Sequence, residues 1–205
     1  MSRFPRFVAL SVASLALTLA LPALAQSRPA DAHPDAPPAT KEIPIPQETK
    51  SITQHQTTVS GQTLHYTATA GNLLISRMAH DEVEEPYHSI FYVAYTLDGA
   101  DAKTRPVTFL YNGGPGSATI WLHMGSVGPM RVVTDSPDAT HNAPYKIVPN
   151  EYTLLDKSDL VFIDAPGTGF SRPVGKGTIK DVAGVDEDLT AFTRFIVRYL
   201  TVNDR

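Results

Sequence analysis

The 205-residue chain contains no cysteine. This excludes disulfide staples, thiol catalysis and cysteine-ligated metal, so any folded part must be held by its apolar core alone. Basic charge is also scarce: 17 Lys and Arg against 21 Asp and Glu give a net charge of −4. With no basic stripe, nucleic acid is excluded as an expected partner. No apolar run reaches the ~20 residues that a membrane-spanning helix needs. Residues 26–50, "QSRPADAHPDAPPATKEIPIPQETK", hold six prolines and no aromatic residue, with Ile43 and Ile45 as their only large aliphatics. Such a stretch buries too little apolar surface to offset its ordering entropy, and it is expected to be a disordered linker.

What precedes it has a different order. "MSRFPRFVALSVASLALTLALPALAQ" places Arg3 and Arg6 before an apolar run from Val8 to Leu21 and ends in Ala23-Leu24-Ala25. This is the pattern of a secretory signal over residues 1–25, cleaved after Ala25, with a periplasmic or secreted product and no membrane attachment after cleavage. Removal of these residues takes away two arginines and no acid, bringing the net charge to −6.

From Ser51 onward the composition, 42% hydrophobic and 19% charged for the whole chain, suits one globular domain over residues 51–205. "TTVSGQTLHYTATA" reads as a hairpin turning at Ser60-Gly61, and Ser89 to Leu97 as a third strand ending at Asp98-Gly99. The apolar runs Pro106 to Tyr111 and Leu160 to Ile163 read as buried strands, each followed by a glycine-rich exit. Val182, Val185, Leu189, Phe192, Ile196 and Tyr199 recur at helical spacing, with Thr178 and Asp181 as the expected cap of that helix. Strands followed by strand, loop, strand and helix predict an α/β fold whose sheet starts antiparallel and turns parallel.

The densest glycine cluster is "YNGGPGSATIWLH", residues 111–123, which also carries the chain's one tryptophan, Trp121. Glycines after a buried strand can hold phosphate, line an oxyanion hole, or turn the chain. Phosphate is disfavoured, because "GGPGSAT" has neither a Walker lysine nor the G-x-G-x-x-G spacing. An oxyanion loop fits the α/β-hydrolase pattern, in which one donor N–H comes from the loop after the third strand. A purely structural turn stays open as the alternative.

Three blocks taken together carry a family resemblance: "NGGPGS" at 112–117, "WLHMGSVGP" at 121–129 and "DLVFIDAPGTGFS" at 159–171. In order and spacing they resemble the serine carboxypeptidases, peptidase family S10, particularly the bacterial members, from about Gln54 to the end of the chain. The resemblance implies the N-terminal part of an α/β-hydrolase fold and removal of C-terminal residues from peptides with a free carboxylate. It implies Asn112, with Gly113, as the group that hydrogen-bonds that carboxylate, Gly114 as the oxyanion-hole N–H donor, and no cofactor or metal. A protonated glutamate beside the nucleophile, and hence an acidic optimum, are also implied. Two positions depart from the family: Leu110 stands where many members have tryptophan, and Ser117 where eukaryotic members have a disulfide cysteine. A neutral amide suits such a site, since it can bind a carboxylate without a positive charge that would also attract side-chain acids.

The nucleophile is the missing part. The nearest match to G-x-S-x-G is Gly169-Phe170-Ser171-Arg172-Pro173, which has proline in place of the last glycine and lies seven residues past Asp164. Ser171 is therefore expected to be a loop residue, Ser117 a helix-start residue, Asp164 a turn-forming aspartate, and His123 a packing residue. His80, Asp81, Glu82 and Glu84 cluster without the spacing of a metal site. With no triad visible, the chain is expected to be a truncated hydrolase domain, inactive alone. The other readings are an exported binding or interaction protein without catalysis, and an esterase or acyltransferase of the same fold.

Overall fold

A computed structural model describes residues 42–79, 82–113, 116–134 and 143–205. The expected signal segment, most of the expected linker, and Gly114 lie outside these residues. The elements, in chain order, are β1 (Lys50–Val59), β2 (Gln62–Met78), β3 (Glu84–Leu97), β4 (Val107–Leu110), α1 (Ile120–Leu122), a π-helical turn (His123–Val127), β5 (Met130–Val132), β6 (Ile147–Pro149), β7 (Asp159–Ile163), β8 (Arg172–Pro173), a 3-10 turn (Ile179–Val182) and α2 (Val185–Val202).

The hairpin forms where expected. Ser60 (φ 49°) and Gly61 (φ 80°) both take left-handed backbone, as a two-residue hairpin turn demands, and β1 pairs with β2 from Val59–Gln62 outward to Lys50–Gly71. The main sheet runs β1-β2-β3-β7-β4. β3 meets β7 antiparallel, Tyr92 opposite Ile163, whereas β4 meets β7 parallel, Leu110 opposite Phe162. The sheet therefore starts antiparallel and turns parallel at β7, consistent with the N-terminal part of an α/β-hydrolase fold. All five residues of β7 are buried, so the continuous apolar run "LVFI" reflects cover on both faces.

One face packs against α2. Leu73, Ile75, Ile90, Tyr92, Val161 and Ile163 meet Ala191, Phe192, Phe195 and Tyr199. The opposite face gathers Tyr66, Tyr95, Leu155, Leu160 and Phe162, with Leu122 and Val127 packed against them. The helix differs from the sequence expectation. Thr178 and Asp181 do form a capping box, but it closes the 3-10 turn, and extended backbone at Gly184 (φ −138°, ψ 168°) separates that turn from α2. The break rotates the two segments out of one helical register. Val185 and Leu189 are consequently exposed, and the buried stripe is Ala191, Phe192, Phe195 and Tyr199. Asp186, Glu187 and Asp188 in the first turn of α2 suit the positive end of its dipole.

The end of the proline-rich stretch is tied to the domain. Ile43 exchanges backbone hydrogen bonds with Gly175, and Asn72 accepts the Thr49 N–H at 2.9 Å. Glu48 takes the Leu74 N–H at 2.7 Å and an Arg198 guanidinium nitrogen at 2.8 Å.

Candidate active-site loop

The segment 111–118 leaves β4 and returns to α1, and β7 receives it at both ends. At the start, Leu110 is in register with Phe162. At the finish, Thr119 donates its hydroxyl to the Ile163 carbonyl and its N–H to an Asp164 carboxylate oxygen at 3.0 Å. Entry and exit are thus fixed on three consecutive residues of one buried strand and its exit. Tyr111 adds a lateral hold, its ring 4.2 Å from that of Phe192 on α2. The segment lies at the carboxyl end of a parallel strand, where α/β sheets place their ligands.

Within it, Asn112 is half-buried, and its amide oxygen is buried without a hydrogen-bond partner among the described residues. A buried unpaired polar atom is costly and calls for a role. Gly113 is exposed, and Gly116 has φ +88°, a conformation that L side chains rarely adopt. Glycine at 116 is therefore required by the turn. Gly114, the expected oxyanion donor, lies outside the described residues. Ser117 is half-buried, and the residue that precedes α1 is Thr119.

The other sequence candidates find structural work. Ser171 is fully buried; its hydroxyl donates to the Asp164 carbonyl at 2.7 Å and accepts the Phe91 N–H at 2.9 Å. It is a loop tie, with no access for a substrate. His123 sits 2.6 Å from the Tyr95 hydroxyl through Nε2 and stacks on Phe162 at 4.7 Å. Burial lowers its pKa to about 4, against the opposing pull of Asp164, so the ring is neutral at pH 7. Of the acidic cluster near position 80, Glu82 and Glu84 are exposed, while His80 and Asp81 lie outside the described residues.

Asp164 does more than turn the chain. Besides Thr119 it accepts the Phe170 N–H at 2.9 Å, so one carboxylate joins the loop after β4 to the loop after β7. A side-chain bond across 45 residues leaves no periodic trace, although the two glycines in "DAPGTGFS" mark the loop itself. Beside this junction opens a cavity of about 190 Å³, lined by Phe91, Val93, Ile120, His123, Phe162 and Phe170.

Comparison with known proteins agrees with this geometry. The serine carboxypeptidase family model (Peptidase_S10) matches residues 60–204. The pheromone-processing carboxypeptidase KEX1 of Saccharomyces cerevisiae is 31% identical over 134 residues, 64% of this chain and 17% of that protein. Serine carboxypeptidase-like 33 of Arabidopsis thaliana is 29% identical over 113 residues, 53% of this chain and 22% of its own length. The match thus spans about a fifth or less of these relatives' length. A sheet that turns parallel at β7, a glycine-rich loop at the carboxyl end of β4, and a family match over most of the chain lead to one conclusion: this chain belongs to the serine carboxypeptidase family.

Proposed function

We propose that this chain carries the carboxylate-reading and oxyanion portion of an exported serine carboxypeptidase, which removes C-terminal residues from peptides with a free carboxylate. The observation that carries the reading is the place of Asn112: a half-buried amide at the carboxyl end of the parallel strand β4, in a loop whose two ends are held on β7 and its exit. Its N–H2 would donate to the substrate carboxylate beside Gly113, while the Gly114 N–H would stabilise the tetrahedral oxyanion. The serine nucleophile, the acid and the histidine would come from polypeptide outside these 205 residues, a view supported by the much greater length of the relatives. Export to the periplasm or medium is supported by the charged, apolar, small-residue order of residues 1–25.

The test is Asn112→Ala in the protein expressed from its whole gene. Loss of one hydrogen bond to a charged group is worth about 1.5 to 3 kcal/mol. It should lower kcat/KM roughly 10- to 150-fold for peptides with a free C-terminus. Substrates with an amidated or esterified C-terminus should lose much less. Equal losses on both would overturn carboxylate recognition and favour an esterase.

A further inference from the structure

The sheet face away from α2 is left unfilled at the carboxyl end of β7. Val93 lies opposite Phe162 in the β3–β7 register, and Phe91, two residues from Val93, belongs to the same face. His123 stacks on Phe162 at 4.7 Å, and the Phe170 ring stands 5.1 Å from that of Phe91. Between these two ring contacts the cavity of about 190 Å³ stays open, with Ile120 (51% exposed) and Phe170 (74% exposed) on its rim. It lies where α/β sheets place their ligands, beyond the carboxyl ends of the strands.

Size and lining decide what fits. Core cavities of about 150 Å³ take up one benzene molecule, so this one has room for a single aromatic ring. The phenyl rings and the imidazole of the lining offer faces and edges for stacked or edge-on contact. Charge narrows the choice further. Asp164 adds a carboxylate to the lining, and His123, the one basic side chain there among the described residues, is neutral at pH 7, since burial lowers its pKa to about 4. An acidic side chain would therefore meet like charge with no cation to offset it. An ammonium group would need free acceptors, whereas both Asp164 oxygens already accept main-chain N–H groups, from Thr119 at 3.0 Å and Phe170 at 2.9 Å. The positive edge of an uncharged ring suits the same carboxylate.

We propose that this cavity is a subsite for one uncharged aromatic side chain of a bound peptide, with Ile120, Phe162 and Phe170 as the residues that set the preference. The source of the ring rests on the carboxypeptidase reading above, and the fit of the ring rests on the described residues alone. Ile120→Trp plugs the mouth, and Phe170→Ala removes a wall. Both positions are exposed, so the fold should tolerate either change.

Two measurements on the protein expressed from its whole gene separate ring from source. Phenol should shift the ring resonances of His123 in NMR spectra, whereas benzoate, similar in size but charged, should not. Ile120→Trp should abolish the phenol response, and Phe170→Ala should weaken it. Burial of a phenylalanyl ring in place of a methyl group is favoured roughly 10- to 100-fold. The kcat/KM should be higher by that factor for peptides with phenylalanine than for those with alanine at one of the two residues flanking the scissile bond. Aspartate at that residue should give no gain over alanine, and in both variants the ratio of phenylalanine to alanine should fall toward one. An unmoved His123 resonance with phenol, the result if other polypeptide fills the cavity, would overturn the proposal. A phenol response with an unchanged ratio in both variants would overturn it too, and would assign the ring to a free molecule. Absence of hydrolysis in the unaltered protein would overturn the carboxypeptidase reading instead, and the phenol response would then decide the fit of the ring alone.

Discussion

Ser171 donates its hydroxyl to the Asp164 carbonyl at 2.7 Å, which turns the only serine in a nucleophile-like context into a tie across its own loop. The same oxygen accepts the Phe91 N–H, so the tie also fastens the loop to β3. Ser171→Ala should leave that N–H and the Asp164 carbonyl without their side-chain partner. The expected cost is about 1 to 3 kcal/mol, read from chemical denaturation. Loss of a true serine nucleophile lowers kcat by roughly 10⁶-fold. Activity per folded molecule that survives the substitution to within about tenfold would separate the two roles.

A second prediction concerns the buried charge at the start of β7. Asp159 is 2% exposed and takes Arg105 Nε at 2.8 Å, Arg205 at 2.5 Å and the Leu97 N–H at 2.9 Å. Removal of a sole partner from a buried ion costs about 3 to 5 kcal/mol, because a charge stays behind unpaired. Arg105→Met should fall below that range, since Arg205 and Leu97 remain. Adding Asp159→Asn to Arg105→Met should cost further stability, because the buried Arg205 guanidinium then loses its carboxylate partner. A double-mutant cycle by thermal melting measures it, and strictly additive effects would deny the coupling.

These two sites show what the sequence does and does not display. Strands β4 and β7 are legible as apolar runs, and Ser60-Gly61 as a turn, because each signal is local. The pairing of β3 with β7 and the parallel step to β4 follow from family order, since no periodicity encodes which strands become neighbours. The capping box at Thr178 was legible as chemistry but not in extent: nothing short of the backbone at Gly184 separates a 3-10 turn from the helix behind it. At the candidate site, Asn112 and Gly113 could be named from the motif. Asp164 could be seen as a loop aspartate, yet its bond to Thr119 joins residues 45 positions apart and depends on β4 and β7 lying side by side.

The last prediction concerns pH and the buried histidines. His88 lies on β3 with no exposed surface, and neither ring nitrogen has a hydrogen-bond partner among the described residues. Burial lowers its pKa to about 4; Asp181 pulls it back up, and Arg77, which is paired with Asp181 at 2.6 Å, pushes it further down. Arg77 from β2 and Arg194 from α2 both lie against the adjacent Tyr87 ring. In the unfolded chain a histidine titrates near 6.5. Below that value the unfolded state binds a proton that the native state refuses, so the contribution of His88 is complete above pH 6.5 and is lost as pH falls toward 4. Across this window the stability should drop on the order of 3 kcal/mol from His88, with His123 acting in the same direction. Urea denaturation at pH 7, 5.5 and 4.5 measures the slope, and His88→Leu should flatten it. An unchanged slope in His88→Leu would mean that His88 is not the neutral group that the structure indicates.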